Sequence, residues 1–473
     1  MSSIHQVVCF AAGRAFLACL CCAPLALQAA SSIPPGVAQA ISAGSLPPSA
    51  VSFVVVDPDS GRVLLSHNPD TQRSPASTIK TVTTFAALDM LGPTFTWQTR
   101  AWSHGKDLIL QGGGDPYITL ERWWSFVQHL RNSQPRSIAG DIIIDDTAFS
   151  LPREDPGAFD GRPNRTYNVL PDALMVNFQS VEFHLSADPE SRQVELLASP
   201  MPVNLAIENH VRFADGRCNG RSGRVDFQVA SSGWDRVVFS GALSPHCAPQ
   251  SIARVLLQPA TYAFGTFVEL WRQSGGEFNG ALRMEPTPSD AKLLLSYDSL
   301  TLAEIVRLTN KFSNNLLARH LYLTLGSERF GGPATLEKSA ATIADWAGEK
   351  GFDFQGAEMD NGSGLSRSTR ISVMQMARVL SAAYHSPFAP EFLASLPLAG
   401  MDGTLRSRMK QAPAGSVRLK TGHIDGVSGV AGYVTTPGGK TYVLVSLVNH
   451  GRADFGAGEP VHAALVSWIL DKP

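Results

Sequence analysis

Arg73 to Gly92 reads RSPASTIKTVTTFAALDMLG, a polar turn running into an apolar helix-forming segment, with Ser77 and Lys80 at the mouth of the helix. Residues three apart share one helix face, so the lysine amine lies beside the serine hydroxyl. Kept neutral by burial or by a neighbouring cation, that amine can accept the hydroxyl proton. The competing reading makes Ser77 or Thr78 a helix cap and Lys80 a solvated charge. Spacing does not choose between them, because Ser103 to Lys106, Ser289 to Lys292 and Ser407 to Lys410 repeat it. Context does. Two β-rich runs around the turn DPDSG, within AVSFVVVDPDSGRVLLSHN, form a hairpin just before the Ser77 helix. Ser103 instead leads into a strand and a glycine turn, and Ser289 and Ser407 open no apolar helix after a hairpin.

The other end of the chain supplies three more strand patterns, SVRLKTG, GVSGVAGYVTTP and KTYVLVSLVN, then the helical pattern EPVHAALVSWIL. Strands from both ends in one helix-covered antiparallel sheet oblige the intervening sequence to leave and return. From about Arg100 to Pro286 short alternating segments such as GDIIIDD, SVEFHLSADP and WDRVVFSGAL mark a β-rich insertion. Helical periodicity resumes over 299–325 and 334–348. The class predicted is α+β.

The chain has 473 residues, 44% hydrophobic and 17% charged, enough for two or three domains. A formal net charge of −2 gives no basic field for nucleic acid. The first 29 residues have the form of an export signal: His5 and Arg14, the apolar run AFLACLCCAPLAL, and small residues in QAASS, with cleavage expected after Ala29. No later run is long and apolar enough to span a bilayer, so an exported, periplasmic, soluble protein is expected. Four of the six cysteines fall in that signal, leaving Cys218 and Cys247 to form one disulfide in an oxidising compartment. Neither a Cys/His cluster with metal spacing nor an H-E-x-x-H helix occurs, so neither metal nor cofactor is expected.

Three short elements occur in the order Ser77-Thr-Ile-Lys80, Ser313-Asn314-Asn315 and Lys420-Thr421-Gly422, similar to the triple of penicillin-binding proteins and serine β-lactamases. Acyl transfer needs a nucleophile, a base, a substrate anchor and donors for an oxyanion. Ser77 fits the nucleophile and Lys80 the general base. Ser313, able to donate and accept, fits a proton relay, and Asn315 can hold both Lys80 and a substrate amide. Lys420 depresses the Lys80 pKa and, with Thr421, attracts a terminal carboxylate. Gly422 admits the substrate backbone to the strand edge. The backbone N–H groups of Ser77 and His423 form the expected oxyanion hole.

With GDIIIDDTAF, NGSGLSR (Asn361 to Arg367) and LPLAGMDGTL (Leu396 to Leu405), nearly the whole chain resembles the class C low-molecular-mass penicillin-binding proteins, the D-Ala-D-Ala carboxypeptidase/endopeptidase family. The resemblance implies a transpeptidase-like catalytic domain (residues 30–99 and 287–473) interrupted by inserted domain II (100–166 and 250–286), itself interrupted by domain III (167–249). It also implies hydrolysis of D-Ala-D-Ala ends and D-Ala to diaminopimelate cross-links of peptidoglycan muropeptides, and inhibition by β-lactams. His423 replaces the family's usual Ser or Thr after Lys-Thr-Gly, and Asn361 its usual Asp before Gly-Ser-Gly. An acidic residue reaching the site from the insertion is also implied, with Asp155 and Asp160 as candidates. The alternatives are a serine β-lactamase, for which no deacylating Glu is identifiable, and a non-catalytic cell-wall-binding protein, which has no use for five reactive residues kept together. Trp123 and Trp124 read as core, and His67, His104, His129 and His320 as surface or structural.

Overall fold

The strand Val51–Val56 divides its side chains between two cores. Val54 and Val56 join one hydrophobic cluster, and Val51, Phe53 and Val55 join another, as the two-residue period of a strand requires. The computed structural model describes residues 33–133 and 137–473; the expected export signal, residues 1–29, lies outside them. Val51–Val56 sits in a five-stranded antiparallel sheet ordered Val417–Ile424, Val427–Thr435, Thr441–Asn449, Val51–Val56, Val63–His67. Both chain ends therefore build one sheet.

Helices Pro35–Ala43 and Gly458–Leu470 cover one face through Val37, Ile41, Val461 and Leu465. The cluster on the other face takes Val82 and Phe85 from helix Lys80–Leu91, Ile305 from Leu302–Phe312, Leu321 from Asn315–Phe330 and Met376 from Val373–Tyr384. Two helical layers are what a sheet buried on both faces requires. The class is α+β, as the pattern predicts. Helices Val373–Tyr384 and Ala389–Ser395 were not anticipated. Ser372 and Gln375 form a capping box at the start of the former, a signal that was there to read.

The intervening sequence, together with Lys292–Asp298 just beyond its expected end, builds a second five-stranded sheet ordered Leu282–Met284, Ile142–Asp145, Asp107–Gln111, Gln98–His104, Lys292–Asp298. Farther out, Ser180–Asp188 pairs with Gln193–Ser199 and Gln250–Val255, and Arg236–Leu243 pairs with Gly223–Val229. Two helices, Leu120–Ser133 and Pro259–Gln273, make this region mixed rather than simply β-rich. Trp123 is core, but its neighbour Trp124 is exposed, because adjacent helix positions point about 100° apart. Cys218 and Cys247 are joined.

Candidate active site

The turn that carries Ser77 is strained and clamped. Ala76–Ile79 forms a 3₁₀ turn, and the α-helix begins only at Lys80, three residues after the expected start at Ser77. Ala76 takes a left-handed φ of 45°, a conformation that persists only where its surroundings impose it. Here they do. Asn449 accepts from the Ser74 N–H (2.8 Å) and donates to the Ser74 carbonyl (3.0 Å). A Cβ on Gly364 would lie 2.0 Å from the Ala76 carbonyl oxygen, and one on Gly422 2.6 Å from that of Pro75. The glycine of Lys-Thr-Gly is therefore needed for the strand to approach the Ser77 turn. This is a reason for glycine beyond the expected access of a substrate backbone to the strand edge.

Lys80 is buried, and its Nζ lies 3.0 Å from Ser77 Oγ, 2.8 Å from Asn315 Oδ1 and 2.5 Å from the Ser363 carbonyl. Burial first, and then the charge of Lys420, hold its pKa well below the ordinary lysine value. A neutral amine has two N–H bonds and one lone pair. Asn315 Oδ1 and the Ser363 carbonyl only accept, so they take the two N–H bonds and leave the lone pair for the Ser77 hydroxyl. Asn315 Nδ2 donates to the Tyr167 carbonyl (3.0 Å), which fixes which end of the amide faces Lys80. Ser363 is held in turn by Asn361, whose Oδ1 accepts from its N–H (3.0 Å) and its hydroxyl (2.8 Å).

Ser313 ends helix Leu302–Phe312 in a left-handed conformation, φ 56°, and accepts a 2.8 Å bond from Lys420 Nζ. Lys420 also donates to the Thr421 carbonyl (2.7 Å), and burial lowers its pKa to about 7. It is thus a weaker cation than the sequence implies. Strand Val417–Ile424 lies at the sheet edge, where segment 397–399 bonds to Val417 and Leu419. By the alternation of a strand, Thr421 and His423 continue that edge toward Ser77. Ser77, Asp160, Arg162, Tyr167, Ser313, Asn315 and His423 line one cleft of about 530 Å³.

A model of the D-Ala-D-Ala carboxypeptidase 3 (S13) family matches residues 35–471. The chain belongs to this family. It is 29% identical to a D-alanyl-D-alanine carboxypeptidase of Actinomadura sp. over 428 residues, 85% of this chain and 77% of that protein. Its fold matches penicillin binding protein 4 (dacB) from Haemophilus influenzae with a TM-score of 0.77 and 22% identity, covering 92% of this chain and 99% of that one. The same Haemophilus protein complexed with a β-lactam matches with a TM-score of 0.73 and 22% identity, over 89% and 96% of the two chains.

Within this S13 chain the insertion reaches the cleft. Of the two acidic candidates, Asp160 lines it, whereas Asp155 turns to its own loop and accepts from the Gly157 N–H (2.8 Å). Asp160 also accepts from Tyr167 Oη (2.7 Å) and Asn168 Nδ2 (2.8 Å). Sequence reasoning missed Tyr167, Ser363 and Thr404. The Thr421 hydroxyl bonds Thr404 Oγ1 at 2.8 Å. Lys311 holds that loop by donating to the Leu396 carbonyl (2.7 Å) and to Asp402 (2.6 Å). Buried His320 bonds the Gly114 carbonyl at 3.0 Å, away from this cleft.

Proposed function

We propose that the chain hydrolyses D-Ala-D-Ala ends and D-Ala to diaminopimelate cross-links of peptidoglycan through an acyl-enzyme on Ser77, and that β-lactams trap the same serine. The observation that carries this reading is the buried Lys80 amine, its two N–H bonds satisfied by carbonyl oxygens and its lone pair directed to Ser77 Oγ at 3.0 Å. In the first step Lys80 takes the hydroxyl proton and Oγ attacks the carbonyl carbon of the penultimate D-Ala. The N–H groups of Ser77 and His423 hold the oxyanion. As the C–N bond breaks, a proton passes to the leaving nitrogen by way of Ser313, which Lys420 keeps in place. Water then hydrolyses the ester: Lys80, neutral again once its proton has gone to the leaving nitrogen, takes a proton from the water and returns it to Ser77 Oγ as the ester bond breaks.

The free carboxylate of the leaving D-amino acid falls to Lys420 and Thr421, with Thr404 orienting the threonine hydroxyl. His423 gives the anchor an imidazole where a hydroxyl is usual in the family, and Asp160 brings a carboxylate to the same cleft. We assign residues 30–99 and 287–473 to catalysis, and 100–166 with 250–286 and 167–249 to two nested inserted domains. Strand Lys292–Asp298 crosses to pair with Gln98–His104 of the inserted sheet. Export to the periplasm after removal of residues 1–29 fits a substrate outside the cytoplasmic membrane. Among the described residues no helix is long and apolar enough to cross a membrane.

Intact-protein mass spectrometry after incubation with penicillin, followed by peptide mapping, tests the assignment. The adduct is expected on Ser77, and Ser77→Ala should lose both the adduct and release of D-alanine. An adduct on Ser103, Ser289 or Ser407 would overturn it.

A further inference from the structure

A second cavity, of about 560 Å³, lies outside the catalytic cleft. The chain between Pro156 and Val169 separates the two: its ends line this cavity, and its middle, Phe159 to Tyr167, lines the cleft. Its volume is that of a small-molecule site. Arg319, which lines it, follows Asn315 by one turn on helix Asn315–Phe330, a spacing that stacks the two side chains on one face. The Arg319 side chain is only 11% exposed, and its Nη2 donates to Glu154 at 2.8 Å. Its buried Nε has no partner among the described residues.

The cavity wall is also strained. Gln179 and Trp234 line it with φ of 54° and 57°, and Leu257 beside them has φ 62°. Bulky side chains rarely take such values. The three are tied together, Gln179 Nε2 donating to the Leu257 carbonyl (2.5 Å) and the Leu257 N–H to that of Trp234 (3.0 Å). Backbone strain held in place by a network concentrates at ligand sites. The lining combines an indole, the guanidinium of Arg153, the Arg319–Glu154 pair and the amide of Gln258 in an apolar frame. An indole face packs against the C–H face of a pyranose, and mixed donors and acceptors fit ring hydroxyls and an acetamido group. A polyanion would meet Glu154, and a purely apolar ligand would strand the amides and guanidinium groups.

We propose that this cavity holds an N-acetylated sugar of the glycan strand while the attached stem peptide lies in the Ser77 cleft. The inference rests on the peptidoglycan reading above. An extended stem of three residues spans about 10 Å, roughly two helical turns, and Arg319 on the cavity wall stands one turn beyond Asn315 of the cleft. Remote contacts of this kind orient a large substrate at its reacting bond.

The test uses two cross-linked muropeptide dimers, one carrying its disaccharides and one stripped of them by an amidase. The wild-type protein should cleave the first with a KM about five- to tenfold lower. Trp234→Ala and, separately, Arg153→Ala at an exposed position should erase that advantage. Both variants should leave cleavage of the stripped dimer and penicillin acylation of Ser77 within about twofold of wild type. Equal wild-type KM for the two dimers, or equal loss on both dimers in folded variants, would overturn the proposal. Calorimetric titration with peptide-free N-acetylglucosaminyl-N-acetylmuramic acid keeps the two readings apart. If neither dimer is cleaved, the peptidase reading fails, and saturable disaccharide binding that is lost in Trp234→Ala and in Arg153→Ala decides for the cavity; no saturable binding, or binding unchanged in both variants, decides against it.

Discussion

The two regions of the molecule share exposed ion pairs but differ in where they bury lysine. In the region built from the chain ends, Lys80, Lys311 and Lys420 are 0%, 4% and 0% exposed, and Lys80 and Lys420 find mainly neutral oxygen acceptors. In the insertion, Arg192, Arg224 and Arg236 pair with Asp215, Asp226 and Glu208 at the surface, each arginine side chain more than half exposed. A buried amine without a counter-ion loses its proton more easily, which makes a base. An exposed ion pair is screened and contributes little to stability. Burial without a counter-charge, at Lys80 and Lys420, therefore falls in the region we propose as catalytic, while the insertion relies on apolar packing and a disulfide.

Substitution at paired positions tests this contrast most severely. Lys80→Ala should slow penicillin acylation of Ser77 by about a thousandfold or more, whereas Arg224→Ala should leave acylation unchanged and shift stability by less than about 0.5 kcal/mol. A Lys80→Ala protein that kept a tenth of the wild-type rate would break the contrast. Stopped-flow acylation and chemical denaturation supply the two readouts.

Gly364→Ala should come next. Its methyl group would sit 2.0 Å from the Ala76 carbonyl, and Gly364 has φ +77°. Displacing the Ser77 turn by about an ångström should reduce acylation about a hundredfold. Gly451, where an added Cβ meets nothing within 4 Å, is the control.

The pH dependence sharpens the comparison within the catalytic half. Lys420, with its pKa near 7, is a cation below that pH and neutral above it. kcat/KM for a substrate with a free terminal carboxylate should therefore decline as pH rises through about 7. An amide-terminated analogue should lack that alkaline limb. Both should lose rate in acid as Lys80, whose pKa is lowered well below the ordinary lysine range, gains its proton. An alkaline limb identical for both substrates would remove Lys420 as the carboxylate anchor.

The smallest effect on chemistry belongs to the disulfide. Cys218 and Cys247 are 29 positions apart, and closing a loop of that length contributes about 3 to 4 kcal/mol by chain entropy. Replacing both with serine should lower the stability of the insertion, read by hydrogen exchange in 206–243, with acylation of Ser77 unchanged. Free thiols in the non-reduced protein, or a large fall in acylation, would refute this.

Sequence determined whatever depends on neighbours along the chain. The hairpin, the Ser77 and Lys80 spacing, the three C-terminal strands and the α+β class all follow from local periodicity and turn residues. The three reactive segments were legible because each places distinctive side chains within three positions. Tertiary structure decided what those side chains face. Asn315 and Ser363 reach Lys80 across 235 and 283 positions. Ser363 and Tyr167 act there through their carbonyl oxygens, which every residue carries and no sequence pattern can mark. Choosing Asp160 over Asp155 for the cleft likewise required the path of a loop, since both have the same carboxylate and similar turn neighbours. Even Gly422, visible from the start, had its reason hidden: a glycine shows where a side chain cannot be, and only the folded chain shows that the Pro75 carbonyl is what excludes it.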